Sequence, residues 1–206
     1  MTENIDLKKG YEIAARARKN ILSLIYRTKG PHLGSSFSCV ELLVGLYYNF
    51  LKVSSKNPND PARDRFIFSK GHAAPALYAV LFEKGFLSEK DIEGFAKNGG
   101  CFEQHPNRDI SKGIEVSSGS LGHGLSIGAG MALAAKRDCK NYRVCVLISD
   151  GELNEGSIWE AVLFSAHHKL DNLLLVIDYN KMQALGFTKD TLELDPLMAK
   201  FEAFGW

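Results

Sequence analysis

The sequence lacks a strong charge of either sign, a long apolar run and an apolar stretch of the signal-peptide kind near its first residue. Its 206 residues carry 25 Lys and Arg against 24 Asp and Glu, and the net charge is +1. Because no basic stripe is present, we expect no nucleic-acid partner. No uninterrupted apolar run approaches the roughly 20 residues needed to cross a bilayer, so we expect no membrane span. The polar N-terminus has no apolar core of the kind that marks a signal peptide.

Paired cysteine motifs are also absent. The four cysteines, Cys39, Cys101, Cys139 and Cys145, form no C-x-x-C pair. Cys101 and His105 alone supply two possible metal ligands, which is too few for a zinc site. This pattern predicts reduced thiols in a cytoplasmic protein.

Apolar strands alternate with amphipathic helices along the chain, which favours an α/β fold with a central, mostly parallel sheet flanked by helices. The length suits one domain, so we expect a single domain over residues 1–206. The patterns predict a strand at Arg65–Phe68 and a capping box at Ser38-Cys-Val-Glu41. The small, apolar residues from Gly124 to Lys136 predict a buried helix that packs closely on its neighbours. Residues 97–118 have no clear period and predict a long functional loop.

Two apolar strands lead into polar residues that suit a divalent cation. Arg143–Ser149 leads into Asp150 and Gly151, and Leu173–Asp178 leads to Asn180. The intervening segment is long enough for one crossover helix between parallel strands, so both side chains would lie at the carboxyl edge of the sheet, where α/β folds bind ligands. Carboxylate and amide oxygens suit Mg²⁺ or Ca²⁺, and Gly151 allows close approach of a phosphate. The alternative is a surface turn with an unrelated loop Asn.

Three histidines lie in turns bounded by Gly or Pro: His32, His72 and His105. A lone loop histidine is usually a solvated surface residue. An imidazole with an unperturbed pKa of about 6.5 can nevertheless donate or accept a proton near neutrality. The three histidines are therefore candidate catalytic residues.

Five ordered segments resemble transketolase. They are Gly30-Pro-His-Leu-Gly34, Phe68-Ser-Lys-Gly-His-Ala73, Gln104-His-Pro106, Gly119-Ser-Leu-Gly-His-Gly124 and Asp150-Gly-Glu-Leu-Asn-Glu-Gly156. The chain is most similar to the N-terminal subunit of split transketolases, in which the diphosphate-binding and pyrimidine-binding domains are separate chains. The resemblance implies a thiamine diphosphate-binding fold and transfer of a two-carbon ketol unit from a ketose phosphate to an aldose phosphate.

The resemblance also implies roles for individual residues. Mg²⁺ or Ca²⁺ would be held by Asp150, Asn180 and the backbone carbonyl of Met182. The full cofactor-binding set would comprise His72, Gly119, Leu121, Asp150, Gly151, Glu155 and Asn180. His32 and His105 would face the sugar, and His72 would approach the diphosphate.

A C-terminal, pyrimidine-binding subunit would complete the site in this resemblance, as a homodimer or a heterotetramer, with Glu155 and Glu160 facing the partner. Ser149 stands where the family usually has Gly, and His123 where many relatives have Gln. The chain stops at Trp206, before a further strand and an active-site histidine of relatives. We therefore expect a C-terminally incomplete domain that is inactive alone.

Other interpretations remain open. A deoxyxylulose phosphate synthase-like thiamine enzyme would share the cofactor residues, although the histidine set favours transketolase. A truncated, non-catalytic paralogue would serve only as a binding partner. The segment Gly124-Leu-Ser-Ile-Gly128 fits the nucleophile elbow of hydrolases, but that elbow requires a preceding buried strand, which is not predicted here.

Overall fold

The computed structural model describes residues 4–206 and contains two compact units. The first is formed by the chain up to Asp64 and by Gly71–Gly119, and the second by Arg65–Lys70 and Ser120–Trp206. Within residues 4–206, no helix has both the length and the apolar character needed to cross a bilayer.

The first unit is helical. Its longest helix begins after Asp6, whose carboxylate accepts the Lys9 N–H (2.8 Å), and ends before Lys29, which has a φ of 50°. One face of this helix is buried against other helices, because apolar residues recur at helical spacing. The α-helices of the unit are α1 (Leu7–Thr28), α2 (Leu33–Ser38), α3 (Val40–Gly45), α4 (Ala74–Glu83) and α5 (Glu89–Glu93). A π-helical turn at Leu46–Phe50 and 3₁₀ turns at Gly71–Ala73 and Ile110–Lys112 complete it.

The predicted capping box at Ser38 and Glu41 is wrong. The hydroxyl of Ser38 donates to the Ser35 carbonyl (3.1 Å), and the Glu41 carboxylate accepts from Arg18 of α1 (2.6 Å). The Glu41 side chain, which the local pattern assigned to the capping box, therefore forms an ion pair with a neighbouring helix instead. Cys39 interrupts the helix between α2 and α3 with a φ of −104°.

The second unit contains a parallel three-stranded sheet in the order β1-β2-β3, which confirms the predicted α/β fold. Ser149 pairs with Asp178 in the register of β2 and β3, so the turns that follow these two strands begin at the same edge. The elements are β1 (Arg65–Phe68), α6 (Gly124–Arg137), β2 (Val144–Ser149), α7 (Gly156–His167), β3 (Leu173–Asp178), β4 (Met182–Gln183), β5 (Gly186–Phe187), α8 (Thr188–Thr191) and α9 (Leu197–Ala203). Helix α7 is the predicted crossover between β2 and β3.

Helix α6 packs closely on the sheet through one face only. Gly128 is buried, and a Cβ added there would lie 2.5 Å from Cγ2 of Val146 on β2. Gly130 is exposed, and a Cβ there would meet no atom within 4 Å. The expectation of a buried, closely packed helix is thus confirmed for the sheet-facing side and wrong for the opposite side, which is exposed.

Two alanine substitutions in α6 should have opposite effects on stability. Gly128→Ala should lower the free energy of unfolding by about 1–3 kcal/mol, because the added methyl group overpacks the helix–sheet contact. Gly130→Ala should raise it by about 0.5–1 kcal/mol, because alanine loses less backbone entropy than glycine in a helix. Urea unfolding of both variants measures the difference. Equal effects would contradict the packing described here.

Candidate functional site

The turn after β2 carries Asp150, which is fully buried. Its Oδ1 accepts the Gly151 N–H (2.8 Å), and its Oδ2 accepts the Lys181 N–H (2.6 Å). The Asp150 N–H donates to the carbonyl of Asp178 at the end of β3 (3.2 Å). Burial raises the pKa of the Asp150 carboxyl. The turn after β2 and the loop after β3 are therefore joined through one desolvated carboxylate.

The amide of Asn180 lies in the loop that Asp150 binds. Its Oδ1 accepts the Met182 N–H (2.8 Å), and its Nδ2 donates to Oδ2 of Asp178 at the longer distance of 3.5 Å. Because Asp150 binds the peptide N–H immediately after Asn180, the predicted carboxylate and amide ligands lie at neighbouring positions. The second unit thus brings together the residues predicted to hold a cation: Asp150, Asn180 and Met182.

These groups fit a hard divalent cation. A desolvated carboxylate gains from a nearby positive charge, and carboxylate, amide and carbonyl oxygens are donors that Mg²⁺ and Ca²⁺ prefer. Among residues 4–206 there is no cluster of three or more His, Cys, Asp or Glu side chains that could hold a metal. The predicted cation ligands include only one residue of these types, Asp150. The absence of such a cluster therefore neither supports nor contradicts the predicted ligands.

Gly151 is more enclosed than the sequence indicates. A Cβ at Gly151 would lie 3.1 Å from Cβ of Gln183 on β4. Its N–H already donates to Asp150, so a phosphate oxygen would compete for that donor with the Asp150 Oδ1.

A buried ion pair beside this turn was not predicted from the sequence. Lys70, two residues after β1, donates to Asp178 at the end of β3, and the side chains are 1% and 6% exposed. Both residues follow or end an apolar strand, which is the same signal that identified Asp150. Applied to every strand end, that signal could have singled out both positions, although not their burial or their pairing with each other.

Glu152 is a second residue that was not predicted from the sequence. Its buried carboxylate accepts the Ser69 hydroxyl, the Gly122 N–H (2.9 Å) and the Ser149 N–H (3.4 Å). Burial raises the pKa of the Glu152 carboxyl. Two other predicted residues lie nearby: Leu121 precedes Gly122, and a Cβ on Gly122 would lie 2.8 Å from Cβ of Glu155.

The first unit brings together the three histidines and Gly119. The ring centroids of His32 and His72 are 5.3 Å apart in an edge-on arrangement. A Cβ on Gly119, which has a φ of +152°, would lie 2.9 Å from Cδ2 of His105. A Cβ on Gly71 would lie 2.7 Å from the Gly119 nitrogen, so the turn that carries His72 packs against the Gly119 backbone.

A small pocket lies beside His32 and His72. His32 and His72 line it together with Ile25, Thr28, Gly30, Pro31, Pro75, Phe95 and Gln104. Two imidazoles beside apolar and amide groups could bind a hydroxylated ligand and exchange protons with it.

The pKa of His32 should lie below 6.5. Desolvation of its ring lowers the pKa first, and the charge of His105 lowers it further. The unfolded chain binds this proton at a higher pH than the folded chain does. The free energy of unfolding should therefore decrease as the pH falls from about 6.5 toward the pKa of His32 in the folded state.

An NMR titration of the His32 ring should therefore have its midpoint below 6.5. His105→Asn should move the midpoint part of the way back, because desolvation remains. His167→Asn, at an exposed histidine of α7, should leave it unchanged. A midpoint of 6.5 or above, or no response to His105→Asn, would contradict this assignment.

Comparison with known proteins supplies the family. Residues 12–206 match the model of the transketolase, thiamine diphosphate binding domain. The chain is 42% identical over 189 residues to an apulose-4-phosphate transketolase subunit of Phocaeicola vulgatus, covering 92% of this chain and 67% of that protein. It is 41% identical over 189 residues to the 6-deoxy-6-sulfo-D-fructose transketolase subunit SqwG of a Clostridium species, covering 92% of this chain and 69% of that protein.

The fold matches as well. The crystal structure of transketolase from Campylobacter jejuni superimposes with a TM-score of 0.89 at 30% identity, covering 98% of this chain and 33% of that one. This chain therefore spans about two thirds of the subunit relatives and one third of that transketolase. The chain belongs to the transketolase family and is a thiamine diphosphate-binding N-terminal domain of the transketolase type.

Proposed function

We propose that the chain is the diphosphate-binding subunit of a split transketolase, which transfers a two-carbon ketol unit from a ketose phosphate to an aldose phosphate. The observation that carries the proposal is the arrangement at the edge of β2 and β3. There, the buried Asp150 accepts the N–H of the residue that follows Asn180, so the carboxylate and the amide proposed as cation ligands lie close together. The family match over residues 12–206 supports one functional domain that includes both units.

In this proposal Asp150, Asn180 and the Met182 carbonyl hold Mg²⁺ or Ca²⁺, and the Gly151 N–H binds the diphosphate. The Gly151 N–H now donates to Asp150 Oδ1, so this bond would have to open before the N–H could donate to a diphosphate oxygen. His72, Gly119, Leu121 and Glu155 complete the cofactor contacts. When bound, thiamine diphosphate supplies the nucleophilic carbon that takes up and releases the two-carbon unit.

In this proposal His32 and His105 interact with the sugar. With its pKa lowered, His32 is neutral at pH 7 and can accept a proton from a sugar hydroxyl and return it to a carbonyl oxygen. His105, held against Gly119, binds the terminal hydroxyl of the donor sugar. His72 lies beside His32 and approaches the diphosphate.

A second chain completes the proposed enzyme. Two relatives are named as transketolase subunits, which supports a partner that carries the pyrimidine-binding domain. Glu155 and Glu160 are exposed and would face that partner in a homodimer or a heterotetramer. The exposed free thiols of Cys101 and Cys139 support a reducing, cytoplasmic location.

A reconstitution assay tests this function. The chain is mixed with a C-terminal transketolase subunit that carries the pyrimidine-binding domain, thiamine diphosphate, Mg²⁺, a ketose phosphate and an aldose phosphate. We expect two-carbon transfer with both chains present and none with either chain alone. In a parallel assay with pyruvate in place of the ketose phosphate, consumption of pyruvate would instead favour a deoxyxylulose phosphate synthase-like enzyme. Stable association without either reaction would favour a non-catalytic partner.

A further inference from the structure

The loop that carries Leu121 is attached at Gly122 to the segment that follows Asp150. The Gly122 N–H donates to Oε1 of Glu152 (2.9 Å), and the Gly122 carbonyl accepts the Ser157 hydroxyl (2.9 Å). Both backbone polar groups of this glycine are therefore bonded to one downstream segment, which begins two residues after the Asp150 side chain.

The contact is also tight. Gly122 has a φ of +85°, and a Cβ there would lie 2.6 Å from Oγ of Ser157 and 2.8 Å from Cβ of Glu155. A glycine is required here both by the backbone conformation and by the lack of space. Two hydrogen bonds oppose movement of the loop away from the Glu152–Ser157 segment.

The Glu152 carboxylate, which binds Gly122, is itself held in place by further hydrogen bonds. The same carboxylate accepts the hydroxyl of Ser69 after β1 and the N–H of Ser149 at the end of β2. Since the side chain is fully buried, it cannot follow a displacement of the loop without leaving donors unsatisfied. Ser157 lies in the first turn of α7, which has a fixed place in the same unit.

We propose that Glu152 and Ser157 are positioning residues that hold the Leu121 loop in its cofactor-binding position beside the Asp150 turn. The inference rests on the proposed function, in which Leu121 contacts the cofactor and Asp150 its cation. Neither positioning residue touches the cofactor; each acts through the backbone of Gly122. Holding the loop before binding removes the cost of ordering it during binding.

The test uses Ser157→Ala, which removes one hydroxyl from a half-buried position and leaves the Glu152 anchor in place. Calorimetry with thiamine diphosphate and saturating Mg²⁺ is performed on the complex with the pyrimidine-binding subunit. We expect the Kd for the cofactor to rise about three- to tenfold, the usual range for loss of one hydrogen bond. Ser157→Thr keeps the hydroxyl and should restore the wild-type Kd. Ser23→Ala, at an exposed serine of α1, is the matched control.

A second measurement distinguishes the loss of loop positioning from a general loss of structure at the site. Affinity for Mn²⁺ alone, measured by electron paramagnetic resonance, should not change in Ser157→Ala, because Asp150 and Asn180 are untouched. An equal loss of Mn²⁺ and cofactor affinity, or wild-type cofactor affinity in Ser157→Ala, would overturn the inference. Failure of the wild-type complex to bind the cofactor would overturn the proposed function itself.

Discussion

Asp150→Ala should raise the Kd for thiamine diphosphate in the presence of Mg²⁺ by more than about 100-fold, because outer-shell changes alone often cost 10–100-fold in metal affinity. The substitution removes the carboxylate from the proposed cation set. It also frees the Lys181 N–H that now fixes the loop carrying Asn180. Both effects act in the same direction, and calorimetric titration of the purified variant measures their sum.

The matched control for this variant is Asp138→Ala, at an exposed acid directly after α6. It removes the same carboxylate chemistry without touching the turn after β2, so cofactor affinity should match the wild type. Circular dichroism verifies that both variants are folded. Saturable, Mg²⁺-dependent binding by folded Asp150→Ala with an unchanged Kd would show that the cation is held elsewhere.

Lys70→Met should lower the free energy of unfolding by about 3–5 kcal/mol, the usual cost of removing one partner from a buried ion pair. The variant leaves the Asp178 carboxylate buried without its ammonium partner, at 6% exposure of the side chain. Adding Asp178→Asn to Lys70→Met should recover part of the loss, because a neutral amide is cheaper to bury than a carboxylate. Urea unfolding without cofactor or cation measures the free energy of unfolding of the wild type, of Lys70→Met and of the double variant.

An exposed pair provides the comparison. Lys136 binds Asp171 at 2.7 Å, and the Asp171 side chain is 84% exposed. Lys136→Met should cost far less free energy of unfolding than Lys70→Met, since solvent screens such pairs. Similar losses for Lys70→Met and Lys136→Met would mean that burial of the Lys70 pair does not determine its contribution.

Much of the fold follows from local patterns in the sequence. The strands around Arg65–Phe68, Asp150 and Asp178 are apolar runs with a polar end, and the parallel pairing of β2 with β3 follows from the crossover length. The close packing of α6 follows from its small residues. The false capping box shows the limit of this reasoning, because Glu41 pairs with Arg18, 23 residues away in sequence. A local pattern carries no information about such a partner.

The site was only partly predictable for a related reason. Asp150 and Asn180 could be paired from strand ends and spacing, whereas Lys70 and Glu152 are residue types that usually lie in solvent. Their burial depends on which chain segments pack around them in the fold. The spacing of apolar residues in the sequence gives no information about that packing. The histidines were recognised as candidates from their turns, but the proximity of His32 to His72 required the packing of α2 on the 3₁₀ turn that contains His72.

Calorimetric titration of thiamine diphosphate into the wild-type chain, alone and with the pyrimidine-binding subunit, tests the central claim most directly. We predict saturable binding of about one cofactor per chain in the complex, weaker binding by the chain alone, and loss of both when Mg²⁺ is removed. Heat indistinguishable from dilution in the assembled complex with Mg²⁺ would contradict the assignment of Asp150 and Asn180 to a cofactor site.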